Sequence, residues 1–116
     1  MSCLDLDDGE ARRIAEPMMD DVMLGIARGD YALHSRHFSV DLKSRLSAEV
    51  FAEAAGESAT ARGAPLDREL LALLRKPKSF TLLWEQRFAA EEGQTLAMMT
   101  VALKGGRYFV DHFLLH

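Results

Sequence analysis

Apolar and polar residues alternate along the last third of the chain, residues 80–115, and this period of two predicts three antiparallel β-strands. Gly105-Gly106 lies between two of these runs and suits a two-residue hairpin turn, because both turn positions need a positive φ. A second turn is predicted at residues 91–94. If Lys104 pairs with Arg107, both turns place the same apolar face toward a core. That face comprises Phe80, Leu82, Trp84, Gln86, Phe88, Ala97, Met99, Val101, Leu103, Tyr108, Val110, His112 and Leu114.

Residues 69–75 precede these strands and are predicted to form a fourth one, followed by a turn at 76–79. The residues are better helix formers than strand formers, so a short helix with Pro65 near its start is the alternative. An isolated helix of this size is marginal, and a neighbouring strand can capture such a segment. We therefore predict a strand and keep the helix as the alternative.

The first half of the chain has apolar residues at spacings of three and four, which predicts helices. The first helix covers about residues 10–28. Pro17 lies inside this pattern, so the helix begins near Glu16 or begins earlier and kinks at the proline. Gly29 is a natural stop for it.

Two further helices are indicated by their capping residues. Asp30 is predicted to cap a short helix over residues 31–36, and Ser47 to cap a helix over residues 48–55. Residues 38–42 are read as a looser segment. Residues 56–64 are small and polar and are predicted to be a surface loop, and the acidic residues 1–9 a flexible or lightly docked N-terminus.

Helices therefore precede strands, and this order predicts a single α+β domain over residues 10–116, with the N-terminal helices on one face of a curved four-stranded antiparallel sheet. The first helix followed by Gly29-Asp30-Tyr31 and Phe38, the helix led by Ser47, and the four strands resemble the NTF2-like (cystatin-like) α+β superfamily. Within it, residues 14–115 most resemble the bacterial family of unknown function catalogued as domain 3887. The resemblance implies a cone of strands that often binds small molecules and a sheet that often dimerises, and it brings no catalytic residues.

The composition of the chain reduces the number of protein classes to which it could belong. The 116 residues include 48% hydrophobic and 28% charged residues, as in an ordinary globular domain, and the net charge of -4 argues against general nucleic-acid binding. The single cysteine, Cys3, fits a reducing compartment, and no stretch resembles a secretory signal or a membrane span. We therefore expect a cytoplasmic protein without a cofactor or a membrane partner.

Polar side chains interrupt the apolar face, which raises the question of a ligand site. In the predicted register, Glu69, Gln86, Met99 and His112 fall in one row. Buried polar groups without partners cost about 1–3 kcal/mol each, so they bond to each other, meet water or line a cavity. The candidate ligand-binding residues are Trp84, Gln86, Met99, Tyr108 and His112. The more common explanation is that this row lies at the solvent-exposed end of the sheet.

The sequence gives less support for a catalytic site or a metal site than for a ligand site. A site resembling that of ketosteroid isomerase needs a carboxylic acid or base aimed into the cavity, but the register places Asp111 on the other face, near Thr100. His34 and His37 share a spacing that metal sites use, yet no third ligand accompanies them. We assign no catalytic residue and no metal ligand.

The opposite face of the predicted sheet is mixed in polarity. Its apolar members, Leu83, Met98, Phe109 and Phe113, would form an exposed patch on a monomer. Such patches usually mark interfaces, so we predict a homodimer through the sheet. The alternative is that the N-terminal segment or the loop near residues 56–66 covers this face.

The sequence is compatible with two functions. The first is a non-enzymatic module that dimerises or binds a small ligand. The second is a small enzyme or carrier that acts on an apolar or aromatic molecule in the cone, as in proteins similar to ketosteroid isomerase. Whether Gln86 and His112 open into an enclosed pocket distinguishes the two.

Overall fold

A computed structural model describes the whole chain, Met1–His116. A short 3-10 helix, Cys3–Asp5, precedes four α-helices: α1 (Asp8–Arg28), α2 (Tyr31–His34), α3 (Val40–Arg45) and α4 (Ala48–Ala61). Four strands follow: β1 (Pro65–Lys76), β2 (Ser79–Phe88), β3 (Thr95–Lys104) and β4 (Arg107–Leu115). The strands form one antiparallel sheet in the order β1-β2-β3-β4. The predicted α+β arrangement is confirmed, residues 69–75 belong to a strand, and the helix alternative for them is wrong.

The helix ends follow local capping chemistry. The side chain of Asp7 accepts a hydrogen bond from the backbone N–H of Glu10, and the Glu10 side chain accepts one from Asp7 in return, so α1 begins at Asp8, well before Pro17. It ends at Gly29, whose φ of 63° is left-handed. Asp30 and Ser47 cap α2 and α4 as the sequence predicted.

Two helical predictions need correction. The helix capped by Ser47 continues to Ala61, so most of the predicted loop over residues 56–64 is helical. Gly56 disfavours a helix by only about 1 kcal/mol relative to alanine, and the burial of Phe51 and Ala55 offsets it. The segment near residue 40, read as irregular, forms the short helix α3 behind its cap, Ser39.

The N-terminal residues are docked rather than frayed. Cys3 and Leu6 are buried in the main core. The backbone N–H of Cys3 donates to the carbonyl of Pro77 at 2.8 Å, and Arg75 donates its Nε–H to the carbonyl of Leu6 at 2.7 Å. Of the two alternatives predicted for residues 1–9, flexible or lightly docked, the structure agrees with docking, and the contact is with the end of the β1–β2 hairpin.

The predicted core face of the sheet is confirmed over β2 and β3. Trp84 pairs with Ala97 and Leu82 with Met99, and all four side chains are completely buried. They pack with residues of α1 in a single hydrophobic core. The turn at Gly105-Gly106 has the two positive φ values, 58° and 76°, that its sequence requires.

The predicted register fails at two β-bulges. In β1, Leu70 pairs with Trp84 but Ala72 pairs with Leu83, so Leu71 is an extra residue. One extra residue reverses which face the side chains occupy on the side of the bulge away from the β1–β2 turn. Arg68 therefore lies opposite Gln86 on the core side. Glu69 instead lies opposite Glu85 on the outer side, and the predicted polar row that contained Glu69 does not exist.

The second bulge, in β4, changes the functional interpretation. Val110 pairs with Val101 as predicted, but His112 pairs with Thr100 and Phe113 with Met99, so Asp111 is the extra residue. Beyond it, Phe113 and Leu115 pack against the core while His112 is exposed. The predicted pairs of Met99 with His112 and of Ala97 with Leu114 are therefore wrong.

Tertiary contacts hold the β4 bulge in place. Val110 donates its backbone N–H to the carbonyl of His37 at 2.7 Å and accepts from the backbone N–H of Ser39 at 2.8 Å. The carboxylate of Asp111 accepts hydrogen bonds from Ser39 Oγ at 2.7 Å and from Lys104 Nζ at 3.0 Å.

None of the helices has an apolar stretch of the length needed to span a lipid bilayer.

Candidate functional site

Three of the five predicted ligand-binding residues belong to the closed core. Trp84 and Met99 are fully buried, and Gln86 is 2% exposed. Trp84 donates its indole N–H to Glu16 at 3.2 Å, and the Gln86 amide donates to the carbonyls of Leu66 and Arg87 at 3.0 and 2.9 Å. These contacts satisfy the donors of both side chains within the chain, whereas the buried Oε1 of Gln86 has no hydrogen-bond partner. Neither Trp84 nor Gln86 lines the cavity described below.

The other two predicted residues lie elsewhere. Tyr108 sits near the β3–β4 turn, where its hydroxyl approaches the sulfur of Met1 at 3.9 Å and burial raises the pKa of the phenol. His112 is exposed beyond the bulge at Asp111. The five residues therefore do not converge on one pocket.

A different cavity, of about 270 Å³, lies between the helices and the end of β4. Eight of its eleven lining residues are hydrophobic. The lining consists of Ile26, His34, Leu46, Phe51, Ala54, Ala55, Ser58, Arg62, Phe113, Leu114 and Leu115. It is a mostly apolar space with three polar side chains, the general character of a small-molecule site.

Two features of the fold create this cavity. The extra residue at Asp111 brings Phe113 and Leu115 to the core side, and both line the cavity. Phe51, Ala55 and Ser58 recur at spacings of four and three along α4, which places them on one face of the helix, and Arg62, the residue that follows the helix, continues this spacing. The small Ala55 on this face leaves room between the larger side chains.

His34 is the most unusual residue of the lining. It is 4% exposed, and its ring Nδ1 lies 2.9 Å from the carbonyl oxygen of Val22. A carbonyl only accepts hydrogen bonds, so Nδ1 carries the proton and Nε2 of the neutral ring is an acceptor. Nε2 has no hydrogen-bond partner in the chain. Burial lowers the pKa of His34, which keeps the ring neutral near pH 7.

Aromatic contacts hold the His34 ring in position. Its centroid lies 4.5 Å from that of Phe51, with the two ring planes tilted by 31°. Phe38 and Phe113 approach nearly edge-on, at 5.1 and 5.9 Å. A rigid, neutral acceptor surrounded by aromatic rings can bind a hydroxyl or N–H of an apolar molecule.

Other titratable groups do not add to this cavity. His37 does not join His34; its Nε2 lies 2.8 Å from an oxygen of Asp21. No group of three histidine, cysteine or acidic side chains is placed to hold a metal. Asp111, whose pKa is lowered chiefly by the Ser39 hydroxyl, does not line the cavity, and Thr100 pairs with Thr81 rather than with Asp111.

The outer face of the sheet is the second candidate surface. Leu83, Met98 and Phe109 lie on it and are half-buried. Leu71 and Leu74, which the sequence did not single out, are 57% and 60% exposed. Phe113, the fourth predicted interface residue, lines the cavity instead because of the β4 bulge. The N-terminal segment contributes to the core and does not provide the cover considered as the alternative.

The element order, the four-stranded antiparallel sheet and the cavity between sheet and helices define an α+β protein with the NTF2-like fold. An NTF-2-like protein of unknown function from Silicibacter pomeroyi DSS-3 superposes with a TM-score of 0.65 at 16% identity, over 96% of this chain and 98% of that one. A SEC-C motif containing protein from Rhodopseudomonas palustris superposes with a TM-score of 0.57 at 12% identity, over 98% of each chain. These likenesses show the fold alone.

Comparison of the sequence with protein families and curated proteins does not assign the chain to a class narrower than its fold. No protein-family model matches the chain, so the resemblance to domain 3887 is not confirmed. No curated protein matches it significantly either. The specific function therefore has to be argued from the cavity.

The sequence held a signal for this cavity that was not recognised. Phe51, Ala55, Ser58 and Arg62 follow a helical period that becomes visible only if the helix led by Ser47 passes through Gly56. The sequence associates His34 only with His37, at a spacing that metal sites use. Nothing local indicated that its ring would be buried beside Phe113, which is distant in sequence.

Proposed function

We propose that this protein is a non-enzymatic module that binds a small apolar or aromatic molecule in the cavity beside His34. The observation that carries the proposal is His34, a neutral residue that is only 4% exposed, lines the cavity, and has an Nε2 atom that makes no hydrogen bond within the chain. Because Nε2 is not one of the fully buried unpaired atoms, a ligand hydroxyl or N–H that donates to it would take the place of water and contribute about 0.5–1.5 kcal/mol. The apolar lining would supply the rest of the binding free energy.

The size of the cavity limits the ligand. A cavity of about 150 Å³ in another protein holds benzene, and drug-sized ligands occupy roughly 300–1,000 Å³. The 270 Å³ found here therefore suits one aromatic ring with a short side chain. Steroids and long fatty acids are too large for it unless the cavity expands.

The test compares 4-ethylphenol with ethylbenzene, which differ by the single hydroxyl that Nε2 would accept. We expect 4-ethylphenol to raise the melting temperature more. His34→Phe, which keeps an aromatic ring at this position, should abolish the difference between the two ligands, and Ala55→Leu should weaken both because it fills the cavity. His112→Ala, on the opposite face, is the matched control. Equal responses to both ligands, or an unchanged response in Ala55→Leu, would contradict the proposal.

Catalysis is the alternative proposal. A neutral histidine in an apolar cavity can act as a general base. The cavity lining contains no aspartate or glutamate, so the carboxylic acid or base of the mechanism considered for a ketosteroid-isomerase-like enzyme has no candidate here. For this reason we place binding ahead of catalysis.

We also propose a homodimer through the outer face of the sheet. The exposure of Leu71 and Leu74, together with half-buried Leu83, Met98 and Phe109, supports it, because exposed apolar surface on a sheet often marks an interface. Light scattering should find a dimer at micromolar concentration for the wild type and a monomer for Leu74→Glu. Leu24→Glu, an exposed leucine of α1, should stay dimeric. A monomeric wild type would exclude the dimer.

A further inference from the structure

The cavity lining contains two hydrogen-bond donors, Ser58 and Arg62, which follow the His34 contact at Phe51 by seven or more residues along the chain. Ser58 lies on the cavity face of α4, and Arg62, four residues later, is the residue that caps the C-terminal end of this helix; both line the cavity. The hydroxyl oxygen of Ser58 is buried and has no hydrogen-bond partner. We propose that the ligand of this cavity carries a carboxylate, which Ser58 and Arg62 bind. This inference rests on the proposed function and specifies the class of ligand.

The guanidinium of Arg62 is held by neighbouring side chains but keeps hydrogen-bond donors that are not used within the chain. Its central carbon lies 5.6 Å from the centre of the Phe88 ring, and its Nε lies 3.3 Å from Glu91 Oε2. Glu91 is itself held by the hydroxyl of Thr95. The two terminal amino groups of Arg62 make no hydrogen bond within the chain. Their planar, forked geometry matches a carboxylate, and such charge-assisted bonds are among the stronger ones.

Two nearby charges work against an anion and therefore limit its type. Glu91 compensates part of the positive charge of Arg62, although it does not line the cavity. The C-terminal end of α4 also carries a partial negative charge, which is reduced because the backbone N–H of Arg62 bonds the carbonyl of Ser58. One arginine with one hydroxyl in this setting suits a singly charged carboxylate better than a doubly charged phosphate.

The spacing of the polar groups sets the length of the ligand. Phe51 stacks on His34, and Ser58 follows it by seven residues on the same helix. At 1.5 Å per residue the two ends of the cavity are roughly 10 Å apart along α4. A single ring with a hydroxyl at one end and a short alkyl carboxylate at the other fits this separation and the 270 Å³ volume.

The probes are 3-(4-hydroxyphenyl)propanoate, its uncharged primary amide, and 4-propylphenol, with affinities measured by titration calorimetry at pH 7.5. We expect the carboxylate to bind at least about tenfold more tightly than the amide, the factor that one charge-assisted hydrogen bond supplies. In Arg62→Gln this ratio should fall to about one while the amide keeps its affinity, which also shows that the variant is folded. Ser58→Ala should lower the ratio partly. Arg107→Gln, an exposed arginine far from the cavity, should leave it unchanged.

The outcomes separate this inference from the proposed function. If the amide and 4-propylphenol bind as tightly as the carboxylate, the cavity is a ligand site but the carboxylate assignment is wrong. If Arg62→Gln and Ser58→Ala both keep the full preference for the carboxylate, the anion binds elsewhere and the assignment is also wrong. If none of the three probes binds, both the inference and the proposed function are overturned.

Discussion

Gly25 is the position where one methyl group should change both stability and the cavity. It is buried in α1 at the point where α2 crosses. A Cβ atom placed on Gly25 would lie 2.4 Å from the backbone N, 2.5 Å from the Cα and 2.6 Å from the Cβ of His34. Two of these three atoms belong to the backbone of α2, so a change of rotamer does not relieve the clash.

The expected cost of Gly25→Ala follows from these distances. Ordinary contacts begin at about 3.4 Å, so α2 has to move by roughly 1 Å, and overpacking of this kind costs about 1–3 kcal/mol. Alanine gains up to about 1 kcal/mol over glycine in a helix. Because the clash is with the backbone of α2, the cost of overpacking lies at the upper end of its range, about 3 kcal/mol, and the net loss is about 2 kcal/mol. Gly56→Ala in α4 meets no atom within 4 Å and should instead gain about 0.5–1 kcal/mol.

Urea unfolding followed by circular dichroism and by the fluorescence of Trp84, the single and fully buried tryptophan, measures both variants. The two alanine substitutions should change stability in opposite directions. Gly25→Ala should also weaken the binding of 4-ethylphenol, because His34 is displaced, whereas Gly56→Ala should not. A Gly25→Ala variant as stable as Gly56→Ala would refute the close packing of α1 on His34.

Two other predictions concern buried polar groups. Burial lowers the pKa of His34 below its unfolded value of about 6.5, so below that pH the unfolded chain binds a proton more readily than the folded one. The free energy of unfolding is therefore unaffected by His34 above that pH and decreases as the pH falls below it, by up to about 1.4 kcal/mol per pH unit. Urea unfolding between pH 7.5 and 5 should show a shallower slope for His34→Phe and an unchanged one for His112→Ala. Glu16→Ala leaves the indole N–H of Trp84 without an acceptor and also removes the carboxylate that accepts two hydrogen bonds from Arg68, so it should cost about 2–4 kcal/mol by circular dichroism. Arg12→Ala removes only an exposed pair with Glu16 and should cost about 0.5 kcal/mol or less; equal losses in these two variants would contradict this assignment.

Local sequence chemistry predicted most of the elements of this fold. Asp30 and Ser47 cap the helices that they were expected to cap, and Gly105-Gly106 forms the expected turn. The alternation along β2 identified the buried face that contains Trp84. These predictions succeeded because each depends on residues within a few positions of one another.

The site could not be read in the same way, because a bulge depends on contacts made elsewhere in the fold. The extra residue at Asp111 is stabilised by Ser39 and by the carbonyl of His37, more than 70 positions away, and it exchanges His112 for Phe113 on the cavity side. The sequence by itself determined the starts of α2 and α4, the three strands of the C-terminal third and which face of β2 is buried, since capping, turn geometry and alternation are local. Only the tertiary structure decided the register of β1 and β4, the burial of His34 and the cavity, since these depend on packing between segments distant in the chain.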